Sequence, residues 1–440
     1  MLLTNNIPAR KKPTRLRFYY AILRRSFLTG LFLATVHFPQ TFAAEDTRLG
    51  YLTLYDAIQK TFNSNPELQS FQFQLEAQQG KIVQANLSPK PEIELTVEDA
   101  FGKNNRKGFD SAQTTLSMSW ILDQNIKDKR SNVAMRERTL IESEKAIKQL
   151  DSAAQTARYF LKALSHQENT VIANRAISLA ETTIKEVKNR VKVGKTPLAE
   201  LYRAEAELAK RKLVLVDLKH ELESSIRQLA AQWGETTPTF NSVSGSLTHQ
   251  PTVTSFHALK NQILRNPSLA KYLSAERIKV AQLKLAEEER KPQWKFKTGV
   301  RRYEATDDYG IIASVSIPFG GSNRNQGRIA EIKARLSQNQ SAAEALRIRI
   351  ETSLFVVYQQ LEHSIHLGSM LRVEIIPRLE KALTETQKAY ELGKYSYLEW
   401  REVQNELLDA QSALLDASYT AHLNVIEIER LTGAQITSSF

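Results

Sequence analysis

Cysteine is missing from all 440 residues. An exported chain without it forms no disulfide, no thiolate metal site and no lipid-modified N-terminal cysteine. Long apolar runs are missing too. Beyond the N-terminus no stretch offers the roughly 18 continuous apolar residues that a membrane helix needs. Hydrophobic residues make up 42 % of the chain and charged ones 25 %, and a β-barrel would escape that test, because its strands alternate only weakly. Catalytic patterns are also wanting. There is no G-x-S-x-G and the histidines are scattered. Gly194-Lys195-Thr196 copies the end of a phosphate-binding loop, but Asn189 stands where its first glycine is needed. Neither enzyme activity nor nucleotide binding is expected, and no cofactor.

What is present begins with a distinctive N-terminus. Arg10, Lys11, Lys12, Arg15, Arg17, Arg24 and Arg25 precede the first acid, Glu45; a short apolar run, Phe27 to Phe38, follows, and then Thr41-Phe42-Ala43-Ala44. Basic region, apolar core and small residues in that order make an export signal over 1–43. Cleavage after Ala43 puts the small Thr41 at the −3 position. A membrane anchor fits less well, because the run is short and broken by Thr29, Thr35 and His37. Arg24-Arg25-Ser26-Phe27-Leu28 also resembles a twin-arginine signal, which serves prefolded cargo. The signal carries seven of the +12 formal charges, so a nucleic-acid partner inferred from basicity would rest on a discarded segment.

The mature chain repeats itself. Asn65-Pro66-x-Leu68 recurs as Asn266-Pro267-x-Leu269, an offset of 201 shared by Ala57/Ala258, Ala85/Ala286 and Lys90-Pro91/Lys291-Pro292. Farther on, Gly194-Lys195/Gly393-Lys394, Glu200/Glu399, Glu207/Glu406 and Gly234/Gly433 keep an offset of 199. Offsets held this evenly mark a duplicated unit, with copies at 44–240 and 241–440. In the first, residues 54 to 88 are helical in pattern and end near Pro89 and Pro91. Alternation follows. Ile93, Leu95 and Val97 stand opposite Glu92, Glu94, Thr96 and Glu98, and Leu116, Met118 and Trp120 opposite Thr115, Ser117 and Ser119. This is a β-hairpin with one apolar and one polar face. The second copy repeats it with Trp294, Phe296 and Val300, then Tyr309, Ile311, Ala313, Val315 and Ile317.

Each hairpin leads into a long helical hairpin. From about 125 to 192, Ile126, Val133, Leu140, Ile147, Ala154 and Leu161 recur every seven residues, and Leu150, Ala157, Leu164 and Val171 lie three out of phase. That is an a/d seam on a helix roughly 100 Å long at about 1.5 Å per residue. Gly194 ends it, and Pro197 is expected at the first position of the returning helix. In the second copy Gly393 ends the outgoing helix, Pro377 should kink it, and Ser396-x-x-Glu399 reads as a capping box.

Four strands with an apolar face pose a closure problem. Sheet edges cannot be satisfied in lipid, and small natural barrels need about eight strands. Three chains give twelve. The same threefold symmetry extends the helices into a coaxial tube, with the polar strand faces lining water. The expected fold is thus mainly α with a small β part: a homotrimeric twelve-stranded barrel, four strands per protomer, continued by a long α-helical barrel.

The chain resembles the TolC-type outer-membrane efflux family over essentially all of its mature length. Within it, VEDAFG (97–102), TTLSMSW (114–120), LAAQWGE (229–235), VRRYEATDD (300–308), VSIPFGGSNRNQG (315–327), SYLEWREVQ (396–404) and IERLTG (428–433) are similar to the cobalt-zinc-cadmium resistance branch. One departure is PFGG at 318–321, where a bulkier apolar residue is expected after Phe319. The resemblance implies a passive channel in the outer membrane, its helical tube in the periplasm. Its implied partners are outer-membrane lipid, a periplasmic adaptor and an inner-membrane RND-type pump, and its cargo is heavy-metal cations, or alternatively drugs or secreted polypeptides. It places adaptor contacts at the tips, Gly194, Lys195, Gly393, Lys394 and Tyr395, and a constriction at acidic residues just beyond them. Glu399 and Glu402 lie three apart on one helical face, and three chains bring six carboxylates to one level. Glu200 has Arg203 at the position matching Glu402, so the second tip carries the better gate. Glu399 has the capping box as an equal claim. The membrane-facing positions are Ile93, Leu95, Val97, Leu116, Met118, Trp120, Trp294, Phe296, Ile311 and Val315. His363 and His366 have helical ligand spacing, but no third ligand is evident and no metal site is assigned.

Overall fold

The computed structural model describes residues 51–320 and 324–436; the export-signal segment 1–43 lies outside them. No helix among the described residues is long and apolar enough to cross a membrane. The first copy runs α1 (Leu54–Ser64), α2 (Pro66–Ala85), β1 (Glu92–Glu98), β2 (Gln113–Ile121), α3 (Gln124–Lys192) and α4 (Leu198–Ala230). The second runs α5 (Phe256–Gln262), α6 (Pro267–Glu288), β3 (Lys295–Tyr303), β4 (Asp308–Ser316), α7 (Gln326–Met370), a π-helical turn (Leu371–Ile375), α8 (Ile376–Glu391) and α9 (Tyr397–Thr432).

The repeated motifs meet in space. Asn65 caps α2, its Oδ1 accepting from the amides of Glu67 (2.9 Å) and Leu68 (3.1 Å), while its Nδ2 donates to the Gln232 carbonyl at 2.7 Å. Asn266 caps α6 through the Ser268 amide (2.8 Å) and donates to the carbonyls of Leu431 (2.9 Å) and Arg430 (3.3 Å). Each asparagine therefore pins the start of one helix to the end of its own copy's returning helix. Gly433, at φ 71°, lies so close that a Cβ would sit 2.8 Å from the Arg265 carbonyl oxygen.

The two copies share one core. Ala153, Ala154, Ala157, Phe160, Leu161, Ala163 and Leu164 of α3 pack with Leu229 and Ala230 of α4 and with Leu415 and Ile426 of α9. Small residues on α3 let three helices approach closely there. Charged links reinforce the contact: Arg158 reaches Glu427 at 2.5 Å, and Arg430 reaches Glu427 at 2.6 Å and Asp151 at 3.2 Å.

Three local expectations are corrected. The helical stretch 54 to 88 is two helices, because Asn65 takes an extended cap (ψ 120°) before Pro66, as a residue preceding proline tends to. Pro197 is the cap of α4 and Leu198 its first helical residue. At Pro377 the outgoing helix is irregular, as a proline there leads one to expect: a π turn at Leu371–Ile375 precedes it, and such a turn rearranges the hydrogen bonds that a proline interrupts. Val171 is exposed, and the buried line continues through Ala173, Ala176, Ala180, Thr183 and Val187. A straight helix of 3.6 residues per turn drifts away from a seven-residue repeat, so the seam passes to new positions.

Candidate functional site

Two regions carry the functional geometry: the sheet, and the helical tips at the far end of α3, α4, α8 and α9.

The four strands form one antiparallel sheet in the order β1-β2-β3-β4. The hairpins of the two copies are thus joined through β2 and β3, with Leu116 opposite Val300 and Trp120 opposite Phe296. One face carries Ile93, Leu95 and Val97 from β1, Leu116, Met118 and Trp120 from β2, Trp294, Phe296 and Val300 on and beside β3, and Ile311 and Val315 from β4. Among the described residues nothing covers it: Ile93 is 77 % and Ile311 85 % exposed. Phe296 is half-buried between Trp120 and Trp294, with ring centroids 6.1 and 6.3 Å away. Aromatic residues thus band the helix-side end of this face, and Tyr309, with the Arg302 guanidinium 5.7 Å from its ring, marks the other end. Nine-residue strands at about 3.3 Å per residue, tilted by roughly 40°, span about 23 Å, close to a barrel's apolar band. β1 and β4 are each paired on one side only.

The opposite face is built from ion pairs that leap a strand. Lys295 reaches Glu92 at 2.7 Å, Lys297 reaches Glu94 at 2.7 Å, and Arg301 reaches Glu98 at 2.8 Å. Each joins β3 to β1 across β2. Ser117 and Ser119, expected to line water, are therefore covered, only 3 % and 5 % exposed.

At the far end both outgoing helices close with the same backbone device. Gly194 (φ 70°) and Gly393 (φ 76°) take the left-handed conformation. The Gly194 and Lys195 amides donate to the carbonyls of Val191 (3.0 Å) and Arg190 (2.9 Å), and those of Gly393 and Lys394 to Tyr390 and Ala389 (both 2.9 Å). These are paired Schellman caps, with Lys195, Lys394 and Tyr395 exposed beyond them.

The two tips are locked to each other. Arg190 of α3 donates through Nη1 to the carbonyls of Tyr390 (2.7 Å) and Glu391 (2.9 Å), and its guanidinium lies 4.8 Å from the Tyr390 ring. Tyr390 in turn stacks on Trp400 at 5.0 Å, within a small core shared with Val187, Ala204 and Tyr397. Gln404 of α9 donates to the Thr183 hydroxyl of α3 at 2.9 Å. Sequence reasoning missed this clamp. The signal was present in the repeat: at the shared offset of 199, Arg190 corresponds to Ala389, a break in symmetry where the tips touch.

Of the three acidic candidates, Glu399 is in the capping box. Its Oε2 accepts from the Ser396 amide (2.7 Å) and hydroxyl (2.9 Å), while its own amide reaches the Ser396 hydroxyl at 3.4 Å. These donors hold its carboxyl below the usual value. Glu402 is exposed one turn later, and Glu200 is half-buried in the first turn of α4. Both His363 and His366 are exposed on α7, and no group of three metal-ligating side chains occurs among the described residues.

A family model described as outer membrane efflux protein matches residues 57–235 and 258–434, one match to each copy. The cobalt-zinc-cadmium resistance protein CzcC of Cupriavidus metallidurans is 25 % identical over 384 residues, which is 87 % of this chain and 90 % of that protein. The crystal structure of CusC, described in terms of transmembrane channel formation, superposes with a TM-score of 0.68 at 16 % identity, covering 87 % of this chain and 92 % of the other. The outer membrane protein VceC of Vibrio cholerae does so with a TM-score of 0.69 at 16 % identity, covering 87 % and 97 %.

Proposed function

The chain belongs to the outer membrane efflux protein family, and from that premise we propose that it is the homotrimeric outer channel of an exporter of divalent heavy-metal cations. Its place is the outer membrane, with the helical tube in the periplasm, as the outer component of a tripartite system. The similarity to a cobalt-zinc-cadmium resistance protein along nearly the whole of both chains carries the metal reading. The unpaired edges of β1 and β4 support the trimer, since three copies supply the twelve strands that close a barrel and leave no edge in lipid.

In this reading the apolar face meets lipid and the ion-paired face meets water. The tips at Gly194, Lys195, Gly393, Lys394 and Tyr395 receive the periplasmic adaptor, which links the channel to an inner-membrane RND-type pump. The channel is passive, and Glu399, Glu402 and Glu200 of three chains attract cations at its narrow end. Growth of a deletion strain on zinc, cobalt, cadmium, copper and nickel tests the cargo. Lost resistance to one or more of these is expected; unchanged resistance to all would refute the metal reading and point to drugs or secreted polypeptides. A heat-modifiable, SDS-resistant trimer in outer-membrane fractions is expected, and a soluble monomer would refute the channel. Glu399→Ala with Glu402→Ala is expected to raise single-channel conductance and weaken cation preference; unchanged currents would remove the acidic gate.

A further inference from the structure

We propose that Lys295, Lys297 and Arg301 are specificity-determining residues that keep the inner wall of the barrel from capturing the divalent cations passing through it. The inference rests on the channel reading above, and it concerns side chains at the sheet, far from the tips.

The charges are sorted by strand. β1 carries Glu92, Glu94 and Glu98 and no base; β3 carries Lys295, Lys297, Arg301 and Arg302 and no acid. Glu92 and Glu94 lie two residues apart on one face, about 7 Å along the strand. A trimer would place nine such β1 carboxylates around the wall. Carboxylate oxygens are the ligands that hard divalent cations seek, and a zinc ion accepts them as well. Left bare, they would form a row of sites for the cargo. A conduit must bind its ion weakly enough to let it leave.

Each carboxylate is instead already engaged. Glu92 Oε2 accepts from Lys295 Nζ at 2.7 Å and from the Ser119 hydroxyl at 3.4 Å. Glu94 accepts from Lys297 Nζ at 2.7 Å and from the Thr96 hydroxyl at 3.3 Å. Arg301 gives Nη2 to Glu98 (2.8 Å), Nη1 to Gln113 (2.9 Å) and Nε to Thr115 (2.9 Å). Holding the sheet together does not explain this pattern. Cross-strand stabilisation acts between adjacent strands, whereas these pairs skip β2, two strand spacings or about 10 Å across. Exposed ion pairs also add little to stability. What the pattern does accomplish is to neutralise every β1 carboxylate on the water-facing wall.

The test is zinc block of the purified trimer in planar bilayers, with zinc chloride added from the barrel side. Lys295→Gln, Lys297→Gln and Arg301→Gln together are expected to lower the half-blocking zinc concentration roughly tenfold or more. Adding Glu92→Gln, Glu94→Gln and Glu98→Gln should return it to the wild-type value. Lys297→Gln alone, which leaves two pairs intact, should show a smaller shift in the same direction and serves if the triple variant fails to assemble. Half-blocking concentrations equal to wild type in the triple or single variant would overturn the proposal, as would a block that persists once the carboxylates are gone. The readout does not depend on the physiological cargo, so an error about metal export would show in the growth assay while this result stood. A wild-type protein that forms no pore at all would overturn both.

Discussion

Removing the Arg190 side chain should loosen the contact between the two helical tips. Its two bonds to the Tyr390 and Glu391 carbonyls, at 2.7 and 2.9 Å, come from a charged donor at a half-buried site. On the solvent-facing side of the tip such bonds contribute about 1 kcal/mol each, the typical net value for a hydrogen bond in water. The guanidinium stacked near the Tyr390 ring adds about 0.5–1 kcal/mol. The weak contact to the Thr196 hydroxyl, at 3.3 Å, lies within one hairpin and does not count toward joining the two. Arg190→Ala should therefore cost about 2.5–3 kcal/mol of tip-to-tip coupling, a rise of roughly 70- to 160-fold in the population with the tips parted. Arg190→Lys keeps the charge but is shorter and lacks the planar guanidinium that lies over the Tyr390 ring, and should fall between. Single-channel recording reads this as longer dwell in the high-conductance state. Thermal dissociation of the trimer serves as a control, because the clamp lies far from the shared core. If Arg190→Ala dwells in that state no longer than wild type while the trimer melts normally, the clamp does not hold the tips.

Other residues give sharper tests of assembly. A Cβ at Gly299 would lie 2.6 Å from the Leu116 carbonyl oxygen and 2.7 Å from Ser117 Cβ, so Gly299→Val should cost about 1–3 kcal/mol through overpacking and lower the temperature of trimer dissociation; a wild-type melt would refute the close approach. Asn266→Ala loses a helix cap and two donated bonds at a buried site; about 2–3 kcal/mol is expected, read as a lower midpoint of thermal unfolding. The lowered carboxyl of Glu399 contributes stability that is fully present above its unfolded value of 4.5 and is lost as pH falls through the folded value. Protection of the 396–399 amides, taken relative to the intrinsic exchange rate at each pH, should accordingly fall only below about pH 4.5 and should not vary with pH in the Ser396→Ala, Glu399→Gln double variant.

Much of the fold was legible because it is local. The outgoing helix expected over about 125 to 192 is Gln124–Lys192, since nothing in that stretch breaks the period before Gly194. The capping box at Ser396 and Glu399 needs only four consecutive residues. The alternating strands followed from period two, and their faces came out as expected. What escaped the sequence is joined over long separations. Arg190 meets Tyr390 two hundred positions away, and the β2–β3 pairing unites hairpins that the sequence shows only as separate units. The cover over Ser117 and Ser119 likewise comes from side chains on neighbouring strands, which no alternation pattern reveals. The π turn before Pro377 had no sign of its own beyond the proline.

The matched caps at Gly194 and Gly393 have a consequence for stoichiometry. Within a trimer they present six turns with nearly the same backbone hydrogen bonding, while their side chains alternate between two sets. The main chain there has quasi-sixfold symmetry and the side chains threefold. A partner that grips the main chain would seat six copies in quasi-equivalent positions. One that reads Tyr395, which has Thr196 as its counterpart, would seat three. On the proposal that these tips receive the adaptor, counting adaptor subunits per channel reveals which layer of the tip is recognised.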